Sequence, residues 1–429
     1  MSDVESKNEE PKDENLPGKT TDLRTQEVKN SPKKLLISVL VIFAAIVLFS
    51  RLVTYLGSGD SLADAKAVSD LAKQNDFSEE AEDDLQMIGT QYPDRNLSGS
   101  SQNSNDHEAA KQWILSELKS AGYKTGAEGA KLSLSEDTFA AVAGENQTKE
   151  TGDNLIAALP GTGKKQVIVG AHYDGDGAGD NGSGAALLLA EATGLGKAYE
   201  KGDIRPEASI VFIFFDGEED GELGSSHYVS QMSSAEKRHT ICMINLDSLA
   251  FGDYCSIYGG ESVSFGPFHT VKGTKPYRYA MKLARYIGMD TMDTDDLDGY
   301  YAKHGSGPAI AERTLYTNPW TFANPSPKNF EFASPSTGGW GDHAPFSDAG
   351  IDYIYFEATN WYAKGDGGSN AYTGYFDTDR TDLGENGMFM NTKYDTLENL
   401  QTYFPGRSLA HYQVFSPLLS ALCLFAADM

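Results

Sequence analysis

The stretch QVIVGAHYDGDGAGDNGSGAALLLAEA, residues 166–192, decides the fold of this chain. It begins with a continuous apolar run, crosses a turn rich in Gly and Asp, and leads into an Ala- and Leu-rich segment at 184–198. Further short runs of β-branched or aromatic residues lie at 154–159, 209–215 and 240–246. Continuous apolar strands that alternate with helices are typical of a sheet buried on both faces. The sequence therefore predicts an α/β fold.

Acidic residues and one histidine directly follow three of these predicted strands. They are His172, Asp174, Asp176, Asp180, Glu218, Glu219 and Asp247. Ligands of open α/β sheets gather outside the carboxyl ends of the strands, so we expect these side chains to lie close together. Carboxylates at such a distance repel one another unless a cation neutralises them. Imidazole together with carboxylate suits zinc or a similar first-row metal ion, so the pattern predicts a metal site.

The charge balance excludes one large class of partners. The 429 residues include 35 Lys or Arg and 62 Asp or Glu, which gives a formal net charge of -27. Nucleic-acid binding needs clustered basic residues, so we predict no nucleic-acid partner. The three cysteines, Cys242, Cys255 and Cys423, have no metal-ligand spacing, and we expect them to be small apolar residues in or near the core.

The first part of the chain has the pattern of a membrane anchor. Residues 1–34 form a polar tail, and the uncharged apolar run that follows, residues 35–50, is as a helix somewhat short of a hydrocarbon core of about 30 Å. Extended through Arg51, whose long side chain can reach the interface, to Leu56, the segment is long enough to span it. Three lysines stand close before this run and only Arg51 close behind it, which favours a cytoplasmic tail. We predict an uncleaved signal anchor at 35–56, a linker at 57–74, and a domain at 75–429 outside the cytoplasm.

Four blocks of the sequence resemble, in the same order, those of the M28 family of zinc peptidases, which includes bacterial aminopeptidases. The blocks are AHYDGDGAGDNGSG, FFDGEEDGELGSSHYV, INLDS and GDHAPFSDAGI. The resemblance covers about residues 75–425. It implies a single α/β domain with a mixed, mainly parallel central sheet between helices, and two adjacent zinc ions.

The resemblance also implies a role for six residues. His172 and Asp247 would hold one zinc ion, Asp180 would bridge both ions, and Glu219 would hold the other. Glu218 would be the general base, and Asp174 would orient His172.

The sequence departs from the family near its C-terminus. The family's last zinc ligand is the His of a block of the form His-Thr-x-x-Asp-Thr, and the matching stretch here is Asn-Thr-Lys-Tyr-Asp-Thr, residues 391–396. An amide oxygen is a weak, neutral ligand for zinc. Our hypothesis is that Asn391 weakens the second metal site. For His343, in another family block, we favour a place near the substrate pocket or a structural role over metal binding.

These patterns predict a membrane-anchored, zinc-dependent aminopeptidase that acts on peptides or proteins. Two alternatives stay open. The first is an inactive or metal-poor relative that binds peptides without cleaving them, which Asn391 would explain. The second is an acyltransferase resembling glutaminyl cyclases, which share the fold and use one zinc ion. It is the weaker alternative, because the metal site those enzymes retain corresponds to the one that Asn391 impairs.

Overall fold

The structure is a computed structural model of the chain. It describes residues 65–97, 105–126, 131–143, 148–265, 268–291, 314–316, 339–360, 377–378 and 380–429. The predicted tail and the predicted anchor at 35–56 lie outside these residues. Among the helices that are described, none combines the length and the apolar character of a membrane span. The last ten residues of the predicted linker form a helix.

The described residues form helices and strands in alternation. The helices are α1 (Ala65–Gln74), α2 (Ser78–Gln91), α3 (Asn105–Ser120), α4 (Gly182–Lys201), α5 (Leu223–Gln231), α6 (Ser234–His239), α7 (Lys275–Ile287), α8 (His343–Asp348), α9 (Leu397–Tyr403) and α10 (Arg407–Leu424). The strands are β1 (Lys124–Thr125), β2 (Ser133–Ala143), β3 (Thr148–Leu159), β4 (Gln166–His172), β5 (Ser209–Phe215), β6 (Thr240–Leu246), β7 (Tyr254–Tyr258), β8 (Gly260–Phe265), β9 (Phe268–Gly273), β10 (Asp290–Thr291), β11 (Thr314–Leu315) and β12 (Tyr353–Thr359).

Eight strands form one mixed sheet in the order β1-β2-β3-β5-β4-β6-β12-β7. Its centre is parallel, because β4 pairs in parallel with both β5 and β6, and β6 pairs in parallel with β12. Strands β3 and β7 pair antiparallel with β5 and β12, and β2 pairs antiparallel with β3. The prediction of an α/β fold with a mixed, mainly parallel centre is confirmed.

The central strand β4 is buried on both faces, as its continuous apolar sequence predicted. Val167 and Val169 face the larger hydrophobic core, which also takes in much of α4 and α10. Ile168 faces a smaller core on the opposite side, together with Val229 of α5 and Phe346 of α8. Side chains alternate between the faces of a strand, so a strand between two cores needs apolar residues at both parities.

Helix α10 packs against the central sheet. Its Phe415 stacks on Phe356 of β12, with ring centroids 5.3 Å apart. The cysteines Cys242, Cys255 and Cys423 are all buried and free of disulfides, which confirms that they serve as small core residues.

Candidate metal centre

Three neighbouring parallel strands bring the predicted site residues together. His172 is the last residue of β4, and Asp180 ends the loop that connects β4 to α4. Glu218 and Glu219 follow β5, and Asp247 directly follows β6. Because β4 lies between β5 and β6 and runs in the same direction, all five side chains meet at one edge of the sheet.

The imidazole of His172 lies at the centre of this group. Its Nε2 is 3.3 Å from a carboxylate oxygen of Asp180, and 3.7 Å from oxygens of both Glu218 and Asp247. Both ring nitrogens of His172 are buried, and neither makes a hydrogen bond within the described part of the chain. A buried nitrogen that faces carboxylate oxygens without a hydrogen bond is suited to hold a cation with them.

Two sets of ligand atoms in the described residues are close enough to share a metal ion. One set comes from His172, Asp180 and Asp247, and the other from His172, Glu218 and Glu219; within each set the atoms lie within 4.8 Å of one another. One imidazole with carboxylates is a donor set that zinc accepts. The residues therefore fit zinc, and Glu218 stands close enough to be either a ligand or a base.

The electrostatics of the group show how strongly it needs a cation. Burial raises the pKa of Glu218 to about 10, and neighbouring carboxylates, Asp342 and Asp247 among them, add to the rise. Burial, followed by the charge of Asp180, raises the pKa of Glu219 to about 8. Burial lowers the pKa of His172, but the surrounding carboxylates, Glu218 first, outweigh it and hold that pKa well above its usual value. A divalent cation would favour ionised carboxylates and neutral imidazole, the forms that bind metal.

Asp174 ties the end of β4 to the turn after β5. Its carboxylate accepts hydrogen bonds from the backbone N–H groups of Glu218 and Glu219, at 3.2 and 3.3 Å. One of its oxygens is 3.6 Å from Nδ1 of His172. Burial opposes ionisation of Asp174, but His172 and these backbone donors hold its pKa below the usual value. This geometry is compatible with the predicted orienting role, which stays a prediction.

Three further residues support the ligands and were missed in the sequence. Tyr355 donates a hydrogen bond to Asp247 at 3.0 Å. Asp395 accepts hydrogen bonds from the N–H groups of Gly179 and Asp180. Arg95 binds backbone carbonyls of the loop between His172 and Asp180. Of the three, only Asp395 lies in one of the sequence blocks, the C-terminal block at 391–396.

Asn391 is exposed, and its backbone has a left-handed conformation with φ of 56°. Its neighbour Met390 contacts Ser248, the residue after Asp247, through a hydrogen bond of 2.9 Å from the hydroxyl to the sulfur. Within the described residues, no His, Cys, Asp or Glu of the C-terminal block joins either set of ligand atoms. The structure thus provides no replacement for the missing histidine from this block.

Two further described histidines, His343 and His227, have other surroundings. His343 is buried between the rings of Tyr353 and Tyr355, at centroid distances of 4.7 and 4.8 Å. His227 pairs with Asp137 at 3.2 Å. Neither histidine belongs to a set of ligand atoms.

Comparison with known proteins finds a family that part of the chain resembles. Residues 154–270 match the profile described as Peptidase family M28. This segment of the chain is similar to peptidase family M28. The matched segment contains every predicted site residue, from His172 to Asp247, and the resemblance inferred from the sequence blocks is confirmed.

Curated proteins similar to this chain include aminopeptidases. It is 36% identical over 124 residues to an aminopeptidase of Pseudomonas aeruginosa (strain UCBPP-PA14), covering 27% of this chain and 22% of that protein. It is 28% identical over 232 residues to aminopeptidase YwaD of Bacillus subtilis (strain 168), covering 50% and 39%. The alkaline phosphatase isozyme conversion protein of Escherichia coli (strain K12) is 29% identical over 223 residues, covering 49% and 54%. The chain thus spans 22–54% of the length of these relatives.

Comparison with solved structures gave matches at low sequence identity. The structure of BSAP, a zinc aminopeptidase from Bacillus subtilis, matches with 15% sequence identity and a TM-score of 0.49, and the match covers 82% of this chain and 95% of that one.

The position of Asn391 leads to a specific prediction. Asn391→His restores the imidazole of the family block, and histidine tolerates the left-handed backbone found there. We expect the variant to bind a second zinc ion at least about tenfold more tightly and to turn over peptides faster, because imidazole is a far better zinc ligand than an amide. Zinc content and aminopeptidase turnover measure both effects.

Asn386→His is the matched control for this variant. Asn386 is also exposed and also left-handed, with φ of 58°, but it precedes the block. If Asn391→His and the natural protein both bind two zinc ions and have equal rates, the hypothesis that Asn391 weakens the second site is wrong.

Proposed function

We propose that this chain is a zinc-dependent aminopeptidase that hydrolyses the first peptide bond of peptides or proteins. The observation that carries the proposal is the meeting of Asp180, Glu218 and Asp247 within 3.3–3.7 Å of Nε2 of His172, at the carboxyl ends of β4, β5 and β6. The similarity of residues 154–270 to peptidase family M28 and to known aminopeptidases supports this proposal.

The described residues have distinct roles in the proposed reaction. His172, Asp180 and Asp247 would hold one zinc ion, and Glu219, with Asp180 shared between the sites, would hold a second. When bound, zinc lowers the pKa of a coordinated water and polarises the scissile carbonyl. The carboxylate of Glu218 takes a proton from the attacking water and then donates it to the nitrogen of the leaving amine. Asp174 holds the turn that carries Glu218 and so fixes the position of the base.

We further propose that residues 35–56 anchor the protein in the membrane and that the peptidase domain lies outside the cytoplasm. The support is the uncharged run after Leu35 and the lysines that precede it. Protease added to intact cells should degrade the domain. Protection of the domain until the cells are lysed would contradict this topology.

The proposed activity is tested with the full chain in detergent, zinc, and matched peptides that have either a free or an acetylated N-terminus. We expect release of the first residue from the free peptides alone, and loss of that release after removal of zinc with a chelator. Binding of peptides without products would support the metal-poor alternative that Asn391 suggests. Cyclised products from peptides that begin with Gln would support the acyltransferase.

A further inference from the structure

The loop between His172 and Asp180 is held from one side by a buried arginine. Arg95 is 1% exposed and follows α2, far from the loop in sequence. Its Nε donates to the carbonyl of Tyr173 at 2.9 Å, and a terminal nitrogen donates to the carbonyl of Gly177 at 2.8 Å. Its own backbone N–H donates to the carbonyl of Gly175 at 2.8 Å. One residue thus binds three carbonyls at alternating positions of the loop.

A further hydrogen bond holds the guanidinium of Arg95 in place. The other terminal nitrogen donates to the carbonyl of Tyr92 at 2.7 Å, which attaches the guanidinium to the end of α2. Every side-chain hydrogen bond of Arg95 in the described structure goes to a backbone carbonyl. A planar guanidinium offers its donors in a fixed geometry, so these bonds determine where each carbonyl lies.

The same loop is held from the other side by Asp395. Its two carboxylate oxygens accept the N–H groups of Gly179 at 2.6 Å and Asp180 at 2.9 Å. The fit is close, because a Cβ on Gly177 would lie 2.5 Å from a carboxylate oxygen of Asp395. Asp395 is buried and precedes α9, so this contact joins the C-terminal block to the loop.

We propose that Arg95 and Asp395 form a ligand-loop clamp that sets the separation of His172 and Asp180. His172 is fixed at the end of a central strand, whereas Asp180 reaches the site only through the loop. The clamp binds the carbonyls of Tyr173, Gly175 and Gly177 from one side and the N–H groups of Gly179 and Asp180 from the other. Both are positioning residues, and their effect on zinc rests on the proposed function. Outer partners that hold metal ligands in place typically change metal affinity by about 10–100-fold.

The clamp gives the C-terminal block a role that does not depend on Asn391. In this chain the block reaches the site through the backbone of Asp180, by way of Asp395. A site that lacks the block's imidazole would therefore keep its bridging carboxylate in place.

The test compares Arg95→Met, Arg95→Lys and Asp395→Asn in the full chain with Arg205→Met. Arg205 is the matched control, since it also donates to backbone carbonyls, but it is exposed and lies beyond the far end of α4, about 30 Å along that helix from the site. Methionine has a long side chain like that of arginine but no hydrogen-bond donors. Lysine keeps the positive charge but lacks the planar set of donors of the guanidinium. Asparagine at 395 replaces one acceptor oxygen with an NH₂ group that faces a backbone N–H.

Two measurements are made on each protein. The first is amide hydrogen exchange of residues 173–180 in the metal-free protein, where we expect at least a tenfold acceleration in the clamp variants and none in Arg205→Met. The second is the zinc dissociation constant by competition with a chelator, where we expect a rise of about 10–100-fold. If Arg95→Met does not fold, Arg95→Lys and Asp395→Asn carry the comparison.

The outcomes separate the clamp from the proposed function. Exchange of 173–180 within twofold of the natural protein in Arg95→Lys and Asp395→Asn overturns the clamp, whatever the zinc result. Faster exchange together with unchanged zinc affinity overturns its link to the ligands. A natural protein that binds no zinc contradicts the proposed function, while the exchange of the metal-free proteins still decides whether the clamp holds the loop.

Discussion

Replacing Glu218 by Gln is expected to slow the release of N-terminal residues by about 10²–10⁴-fold while zinc stays bound. The amide keeps the size of the side chain but cannot accept the proton of the attacking water. The carboxylate lies 3.7 Å from Nε2 of His172 and is only partly exposed, so it faces the ligands without being one of the three that come from His172, Asp180 and Asp247. We therefore expect a fall in kcat with little change in KM.

Steady-state kinetics and zinc content, measured on the same preparation, check this prediction. Glu200→Gln is the control, because Glu200 is exposed and lies in the last turn of α4, away from the site. Glu218 also belongs to the second set of ligand atoms, with His172 and Glu219. Loss of one zinc ion along with the activity would show that Glu218 is a ligand and that its assignment as the base is wrong.

Replacing His172 by Ala is expected to abolish both zinc binding and activity. His172 is shared by both sets of ligand atoms, and its loss leaves only carboxylates, which favour magnesium or calcium over zinc. Because removal of outer partners alone weakens metal binding by about 10–100-fold, loss of a ligand should weaken zinc binding by more than about 100-fold. Chelator competition and peptide turnover measure the two effects.

His227→Ala separates this effect from the general loss of a histidine. His227 also lies beside a carboxylate, that of Asp137, but outside the ligand sets. We expect the zinc affinity and the turnover of His227→Ala to stay within about twofold of those of the natural protein. Equal zinc affinity in His172→Ala and His227→Ala would contradict the central position of His172.

The sequence predicted the parts of the fold that depend on local pattern. Apart from the first residue of each run and Asn245, the runs 166–171, 209–215 and 240–246 contain no polar side chain, a pattern that a strand covered on both faces requires. They form β4, β5 and β6. The run 154–159 is only the second half of β3. The first half, beginning at Thr148, is polar and pairs with β2 away from the centre of the sheet, so it carried no hydrophobic signal.

The candidate site was predictable where its residues follow strands, and less so where they come from elsewhere. His172, Glu218 and Asp247 could be placed because neighbouring parallel strands end at one edge. Arg95 and Tyr355 reach the same edge across 78 and 108 residues of sequence, through hydrogen bonds that leave no periodic pattern. Such contacts are fixed by tertiary packing and not by local sequence.

Some of the residues behind the net charge of -27 lie together at this edge of the sheet. Part of it consists of carboxylates that lie beside one another, and a bound cation would favour their ionised forms. The pKa of Glu218, raised to about 10 by burial and by neighbouring carboxylates, is consistent with this. Metal binding should therefore release protons near neutral pH.

The most direct test of the central claim is anomalous diffraction from crystals of the protein grown with zinc, recorded on both sides of the zinc absorption edge. The account predicts a zinc peak within bonding distance, about 2.0–2.2 Å, of Nε2 of His172 and of carboxylate oxygens of Asp180 and Asp247. A zinc-loaded, active protein with no anomalous peak at His172 would contradict it.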